Sequence, residues 1–294
     1  MIVVTAPTGQ IGSRVLATLL DSGEQVRVIA RDPARLPDDV RERVEIVKGS
    51  HGDGGVVGEA FAGADTVFWL LAADRRAESL EAAYLDFTRP ACAAIEKQGV
   101  ARVVGISALG RGCAENAGYL SASHAMDDLI VGTGVAYRAL TMPTFMDNLL
   151  WQAGPIGRDG VFFGPLPAGL EAPMCATRDI AAVAAKWLLD RSWHGVADVP
   201  VLGREDLSQN DLAEIMSDVL GRPVRYRQVS IEDFRATQLD QGWSAAMAEG
   251  MVDMMLAKEA GIDNAEPRTP EATTPTTFRQ WCEEVLKPAV GSVR

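Results

Sequence analysis

The chain has 294 residues, 47% of them hydrophobic, enough to bury one large core or two ordinary ones, so it reads as globular. A formal charge of -12 with no cluster of Lys and Arg opposes binding to nucleic acid or to an anionic membrane surface. The four cysteines, Cys92, Cys113, Cys175 and Cys282, show no Cys-x-x-Cys spacing, and no apolar run approaches the roughly 20 residues of a membrane span. Idle thiols, no metal site and a cytoplasmic protein without a basic leader are therefore expected.

In chain order, Ile2 to Thr5 predicts a short strand, and Val15, Leu16, Leu19 and Leu20 place one face of a helix over Ser13 to Asp21. Strands are predicted at Gln25 to Ala30 and Val44 to Val47, then a helix from Val56 to Phe61 closed by Gly63. The run "ADTVFWLLA" reads as a strand buried on both faces. Glu78 to Gln98 predicts one long helix ended by Gly99, and "ARVVGISALG" a fifth strand. Such alternation predicts an α/β fold, a Rossmann-type doubly wound parallel sheet, over residues 1-150. Residues 151-294 are expected to form a smaller mixed α/β lobe.

In that second part "GPIGRDGVFFGPLPAGLEAPM" predicts loops and short hairpins. A helix follows from about Thr177 to Leu189 with Asp179 in its first turn. Another runs from Ser208 to Leu220, opened by Ser208 and Asp211 at capping-box spacing and stopped by Gly221. A Pro/Thr stretch precedes a last helix, Phe278 to Leu286.

The stretch Ala6-Pro7-Thr8-Gly9-Gln10-Ile11-Gly12 lies between the first strand and the first helix, where successive N–H groups can face a pyrophosphate. Gly9 and Gly12 hold the second and third glycine positions of such a loop, and Ala6 holds the first. Alanine is tolerable there if it keeps a negative φ; an ordinary βα turn is the competing reading. At the end of the second strand the order is Ala30-Arg31-Asp32. A guanidinium there suits the extra phosphate of NADP(H), while Asp32 would suit NAD. A solvated turn is the other reading of Arg31.

On "VTAPTGQIG", "VIARDP", "ADTVFWLL", "ARVVGISALG", "GVAYRALTMPTFMDNLLWQ", "ATRDIAAVAAKWLL", "LGREDLSQNDLAEIMSDVLGRPVRYRQVS" and "TPTTFRQW", the chain resembles the NmrA-like branch of atypical short-chain dehydrogenases over nearly its whole length. That branch includes NADPH-dependent quinone and isoflavone-type reductases and redox-sensing regulators. The resemblance implies NADP(H) as cofactor, with Ala6, Thr8, Gly9, Gln10 and Ile11 at the pyrophosphate and Arg31 at the ribose phosphate. It also implies Leu71 and Ala72 along the cofactor cleft and Ser107 near the nicotinamide. Ser50 departs from the Gly-Asp pair common near the adenine.

Short-chain reductases combine Ser, Tyr and Lys, the lysine lowering the tyrosine pKa. Here Ser107 and Tyr119 are present, but Ser123 stands where the lysine is due, and none occurs between Lys97 and Lys186. The remaining candidate acid is His124, within "SHAMDDLI", which Asp127 or Asp128 could orient; a histidine bonded to backbone is the alternative. Phe145, Asn148 and Trp151 are candidates for a substrate pocket, with core packing as the other explanation. Loss of the lysine suits a conjugated or quinone-like small-molecule substrate, whose reduced form is a stabilised anion. The rival expectation is a non-catalytic redox sensor with a protein partner.

Overall fold

The computed structural model describes residues 1–292. Its strands in chain order are β1 (Ile2–Val4), β2 (Val26–Ala30), β3 (Glu45–Lys48), β4 (Thr66–Trp69), β5 (Arg102–Ala108) and β6 (Ala136–Met142). Then come β7 (Thr144–Phe145), β8 (Val161–Gly164), β9 (Ala172–Cys175), β10 (Val196–Pro200), β11 (Asp206–Leu207) and β12 (Arg225–Gln228). The chain forms two compact units, each drawn from three segments. The first comprises residues 1–108, 121–141 and 180–199, and the second, among the described residues, 109–120, 142–179 and 200–292. The segment 180–199 adds β10 to the edge of the first unit's sheet.

The first unit is built on a seven-stranded sheet in the order β3-β2-β1-β4-β5-β6-β10. β1 pairs in parallel with both β2 and β4, Val3 standing opposite Arg27 on one side and Val67 on the other. Every residue of β1 and β4 is buried, as the unbroken apolar runs require of strands covered on both faces. The first helix, Gln10–Asp21, buries Ile11, Val15, Leu16, Leu19 and Leu20, each worth about 2 kcal/mol of removed apolar surface. Around Val3, Val67 and Trp69 the core gathers Val57, Phe61, Ile95, Met126, Ile130 and Tyr137.

The helix expected as one piece over Glu78 to Gln98 runs unbroken from residue 80 to 98 and widens within. A wide π-type turn at Ala82–Asp86 precedes the α-helix Phe87–Gln98, which holds Pro90 and ends at left-handed Gly99. Pro90 has no N–H to give Asp86, and its ring crowds that carbonyl, so the backbone widens just ahead of it.

In the second unit β9 pairs with β7 in parallel and with β11 antiparallel. The Gly/Pro-rich stretch forms no hairpin. It carries the helix Ala153–Asp159 and then β8, whose partner is the distant β12 in parallel register, Phe162 opposite Tyr226. Parallel pairing needs a crossover, which the helix Gln209–Leu220 supplies. Ser208 and Asp211 open that helix with both bonds of a capping box, and Gly221 closes it in the left-handed region. Asp179 accepts from the Thr276 N–H at 3.1 Å and hydroxyl at 2.8 Å, which anchors the Pro/Thr stretch. The core here includes Ile156, Phe162, Leu212, Met216, Phe278, Trp281 and Leu286.

Burial pushes the Cys92 thiol up to about 11 and that of Cys282 to about 12, and it raises Cys175 as well, so none of these three is a nucleophile at neutral pH. No helix among the described residues is long and apolar enough to cross a membrane.

Arg138 in β6 holds the margin of the first sheet. Its guanidinium lies 5.0 Å from the Trp187 ring and 4.4 Å from that of Trp193, and donates to the carbonyls of Gly195 at 3.1 Å and His194 at 3.2 Å. A lysine ammonium cannot stack and fork in this way. Arg138→Lys is expected to cost about 1 to 2 kcal/mol, read as a lower urea midpoint with an unchanged slope.

Candidate cofactor site and hydroxyl cluster

The parallel strands bring the ends of β1, β2, β4 and β5 to one edge of the first sheet. Thr5 fixes this edge: its hydroxyl donates to the Phe68 carbonyl at 2.9 Å and accepts from the Leu70 N–H at 2.8 Å, joining β1 to β4. The chain then turns at Ala6, with φ of 49°. The expected negative φ is not kept; alanine occupies the left-handed region that favours glycine, at a cost of about 1 kcal/mol. In this turn the Ala6 carbonyl accepts from the Gly9 N–H at 3.1 Å.

Gly9 is the N-cap of the first helix and offers no side-chain cap, so the leading N–H groups of Gln10 and Ile11 are not claimed by one. The two glycines differ in what requires them. A Cβ on Gly12 would overlap the Ala6 carbonyl oxygen and lie 2.9 Å from its carbon, so the helix packs against the turn only without a side chain. On Gly9 it would meet the same oxygen at 3.4 Å, an ordinary contact. The protein itself therefore tolerates a methyl at Gly9. An uncapped helix start with an open backbone approach fits a pyrophosphate.

At the end of β2, Asp32 turns back to cap its own short turn, accepting from the Ala34 N–H at 3.2 Å. The Arg31 side chain is exposed and bonds to nothing among the described residues. Its charge reaches His51, beyond β3, whose ring lies edge-on to Trp69 at 5.2 Å and Phe87 at 4.8 Å. Burial first, and Arg31 second, lower the His51 pKa to about 4, against the opposing effect of a backbone hydrogen bond at Leu70. His51 is neutral at pH 7. Leu71 is half-buried against the core and Ala72 is exposed, both just past β4.

At the end of β5, Ser107 is buried and donates to Asp127 Oδ2, while Tyr137 of β6 donates to Oδ1 at 2.6 Å. Gly105 makes room for this, because a Cβ there would overlap the Tyr137 hydroxyl. Asp127, considered above as a partner for His124, thus has both oxygens engaged by strand hydroxyls. The cluster draws on three elements separated in sequence, and its one local sign is an acid on the buried side of the helix Tyr119–Val131. His124 Nε2 lies 2.9 Å from the Ala108 carbonyl. A carbonyl can only accept, so Nε2 carries the proton. Ser123, at the lysine position, is buried.

The remaining candidates belong to the second unit. Tyr119 packs its ring 6.4 Å from that of Trp243. Phe145 ends β7 half-buried, Asn148 is half-buried in the turn Met146–Gln152, and Trp151 is 71% exposed. Asp147 pins this turn, accepting from the Thr177 N–H at 2.9 Å and hydroxyl at 2.7 Å.

Residues 7–191 match a family described as NAD(P)H-binding, and residues 130–282 match the NmrA-like family. The chain is 30% identical over 292 residues, 97% of both chains, to a (4-alkanoyl-5-oxo-2,5-dihydrofuran-3-yl)methyl phosphate reductase of Streptomyces griseus. It is 28% identical, over 86% of both chains, to an NAD(P)H azoreductase of Xenophilus azovorans. An NADPH-dependent quinone oxidoreductase of Escherichia coli, solved with NADPH, shares the fold with a TM-score of 0.78 at 20% identity, covering 100% of this chain and 99% of the other.

Substitutions in the loop separate folding from binding. Gly9→Ala is expected to melt like the parent and bind dinucleotide at least tenfold more weakly, whereas Gly12→Ala loses several degrees of melting temperature; calorimetric titration and thermal unfolding read the two effects. Ala6→Gly is expected to raise stability by about 1 kcal/mol through relief of the left-handed alanine. His51 gives a pH dependence of definite sign. Its folded pKa of about 4 lies below the ordinary 6.5, so the unfolded chain takes the proton first and stability falls as pH drops from 6.5 to 4. The loss attributable to it is roughly 3 kcal/mol, and urea midpoints of His51→Gln across that range should fall less steeply than the parent's.

Proposed function

We propose that this chain, which belongs to the NmrA-like family of NAD(P)H-binding proteins, is an NADPH-dependent reductase of a small conjugated, quinone-like acceptor. The observation that carries the choice of cofactor is the pair at the end of β2. Asp32 is spent on its own turn, and the Arg31 guanidinium is unengaged and exposed. An unpaired guanidinium there suits a ribose phosphate, with charge-assisted bonds worth about 1.5 to 3 kcal/mol.

What the chain lacks supports this substrate class. With Ser123 in the lysine's place, no ammonium activates Tyr119 from that position, so protonation of an isolated alkoxide would be poorly served. A conjugated acceptor needs less help, because the anion left after reduction is delocalised. The similar proteins are named for a dihydrofuranone, for azo compounds and for quinones, all with electron-poor multiple bonds in conjugation. NADPH, when bound, supplies the hydride; the chain orients the acceptor and holds a proton. In this reading His124, whose Nε2 meets the Ala108 carbonyl at 2.9 Å, supplies the proton.

A second reading, a redox sensor that binds NADP(H) and a protein partner without turnover, is favoured by the buried Ser123. Oxidation of NADPH in the presence of quinones and enones separates the two: steady turnover supports the reductase, and tight binding with no turnover of any acceptor supports the sensor. Arg31→Ala is expected to weaken NADPH by about 1 to 3 kcal/mol and NADH hardly at all; an equal loss for both would remove the NADP assignment. His124→Ala is expected to slow turnover at least tenfold with NADPH affinity nearly intact, and an unchanged rate would remove His124 from the reaction.

A further inference from the structure

We infer that Ser107 meets the bound nicotinamide as a hydrogen-bond acceptor, fixed in that sense by Asp127, and so recognises the carboxamide N–H2 group instead of donating a proton to substrate. The inference rests on the NADP(H) reading above and adds the direction of one hydrogen bond within it.

The cluster leaves little freedom. Asp127 is 1% exposed and, as a carboxylate, can only accept. Two hydroxyls face its two oxygens, Ser107 at Oδ2 and Tyr137 at Oδ1. Each hydroxyl has a single hydrogen, so both hydrogens are committed to the carboxylate. The absence of a side chain at Gly105 makes the space through which Tyr137 reaches it. What Ser107 still offers is its lone pairs, and it keeps 7% of its surface exposed at the carboxyl end of β5.

The sheet order says which part of a dinucleotide would reach that end. The strand order reverses between β1 and β4, and a dinucleotide lies across such a crevice. With Arg31 at β2 taking the ribose phosphate and the loop after β1 taking the pyrophosphate, the nicotinamide half extends over β4 and β5. The carboxamide has both an acceptor oxygen and a donor N–H2, and Ser107 can serve only the donor. This reverses the sense expected of the serine in a Ser-Tyr-Lys reductase, and it makes Asp127 a positioning residue.

The test compares binding of NADP+ with that of its 3-acetylpyridine analogue, whose acetyl group accepts hydrogen bonds but has no N–H2 to give. Calorimetric titration of the parent protein should show NADP+ preferred about tenfold, the worth of one such bond. Ser107→Ala should bring the ratio close to one. Tyr137→Phe disturbs the same pocket but leaves the Ser107 to Asp127 bond, so it should keep the parent ratio. In Asp127→Asn the new amide can donate to Ser107 and free its hydrogen to face the acetyl oxygen, so the ratio should fall several-fold. Equal binding of the two cofactors by the parent, or a Ser107→Ala ratio unchanged from the parent's, overturns the inference while NADP+ binding stands. An unchanged ratio in folded Asp127→Asn overturns the positioning role, and if that variant does not fold, the Ser107→Ala and Tyr137→Phe ratios decide. Failure of the parent to bind NADP+ at all overturns the cofactor reading itself.

Discussion

The near-contact between Gly12 and the Ala6 carbonyl sets the geometry on which the cofactor edge depends. Because no Cβ intervenes, the first helix starts directly against the turn that follows β1, and its leading N–H groups face the carboxyl edge of the sheet. A side chain at Gly12 would push helix and strand apart and displace those donors. The same turn holds Ala6 in a left-handed conformation, so some strain is retained where the backbone must bend sharply. Thr5 completes the arrangement by bonding to the end of β4, which keeps the crevice between the two strands from opening.

Polar groups along this edge are sorted by what already holds them. Asp32 is occupied by its own turn, Asp127 by two hydroxyls, and the Nε2 of His124 by a carbonyl. Arg31, at the end of β2, has no bond among the described residues, in a chain whose overall charge is -12. A phosphate approaching from solvent would therefore find one unengaged cation at the end of β2. His51 is held neutral nearby, so it adds no second positive charge.

The absence of a lysine in the helix Tyr119–Val131 bears on chemistry more directly than any residue that is present. A Ser-Tyr-Lys site depends on an ammonium to make the phenol acidic, and Ser123 cannot substitute for it. The proposed substrate class answers that deficit by placing the negative charge on a delocalised product. In the proposed arrangement Ser107, with its hydrogen committed to Asp127, serves orientation rather than acid catalysis.

Alternation of apolar strands and amphipathic helices was enough to predict the doubly wound sheet, because strands such as β1 and β4 must be apolar on both faces to be covered by helices. The capping pair Ser208 and Asp211, the stops at Gly99 and Gly221, and the loop from Ala6 to Gly12 were also legible, since each is a local backbone requirement met by adjacent residues. Tertiary structure alone decided the sign of φ at Ala6, the pairing of β8 with β12, and the return of segment 180–199 to the first sheet. It alone joined Ser107, Asp127 and Tyr137, and showed that Asp32 is spent while Arg31 is not. These depend on which distant elements meet, and a hydrogen bond's direction is fixed by its partner, which no local pattern names.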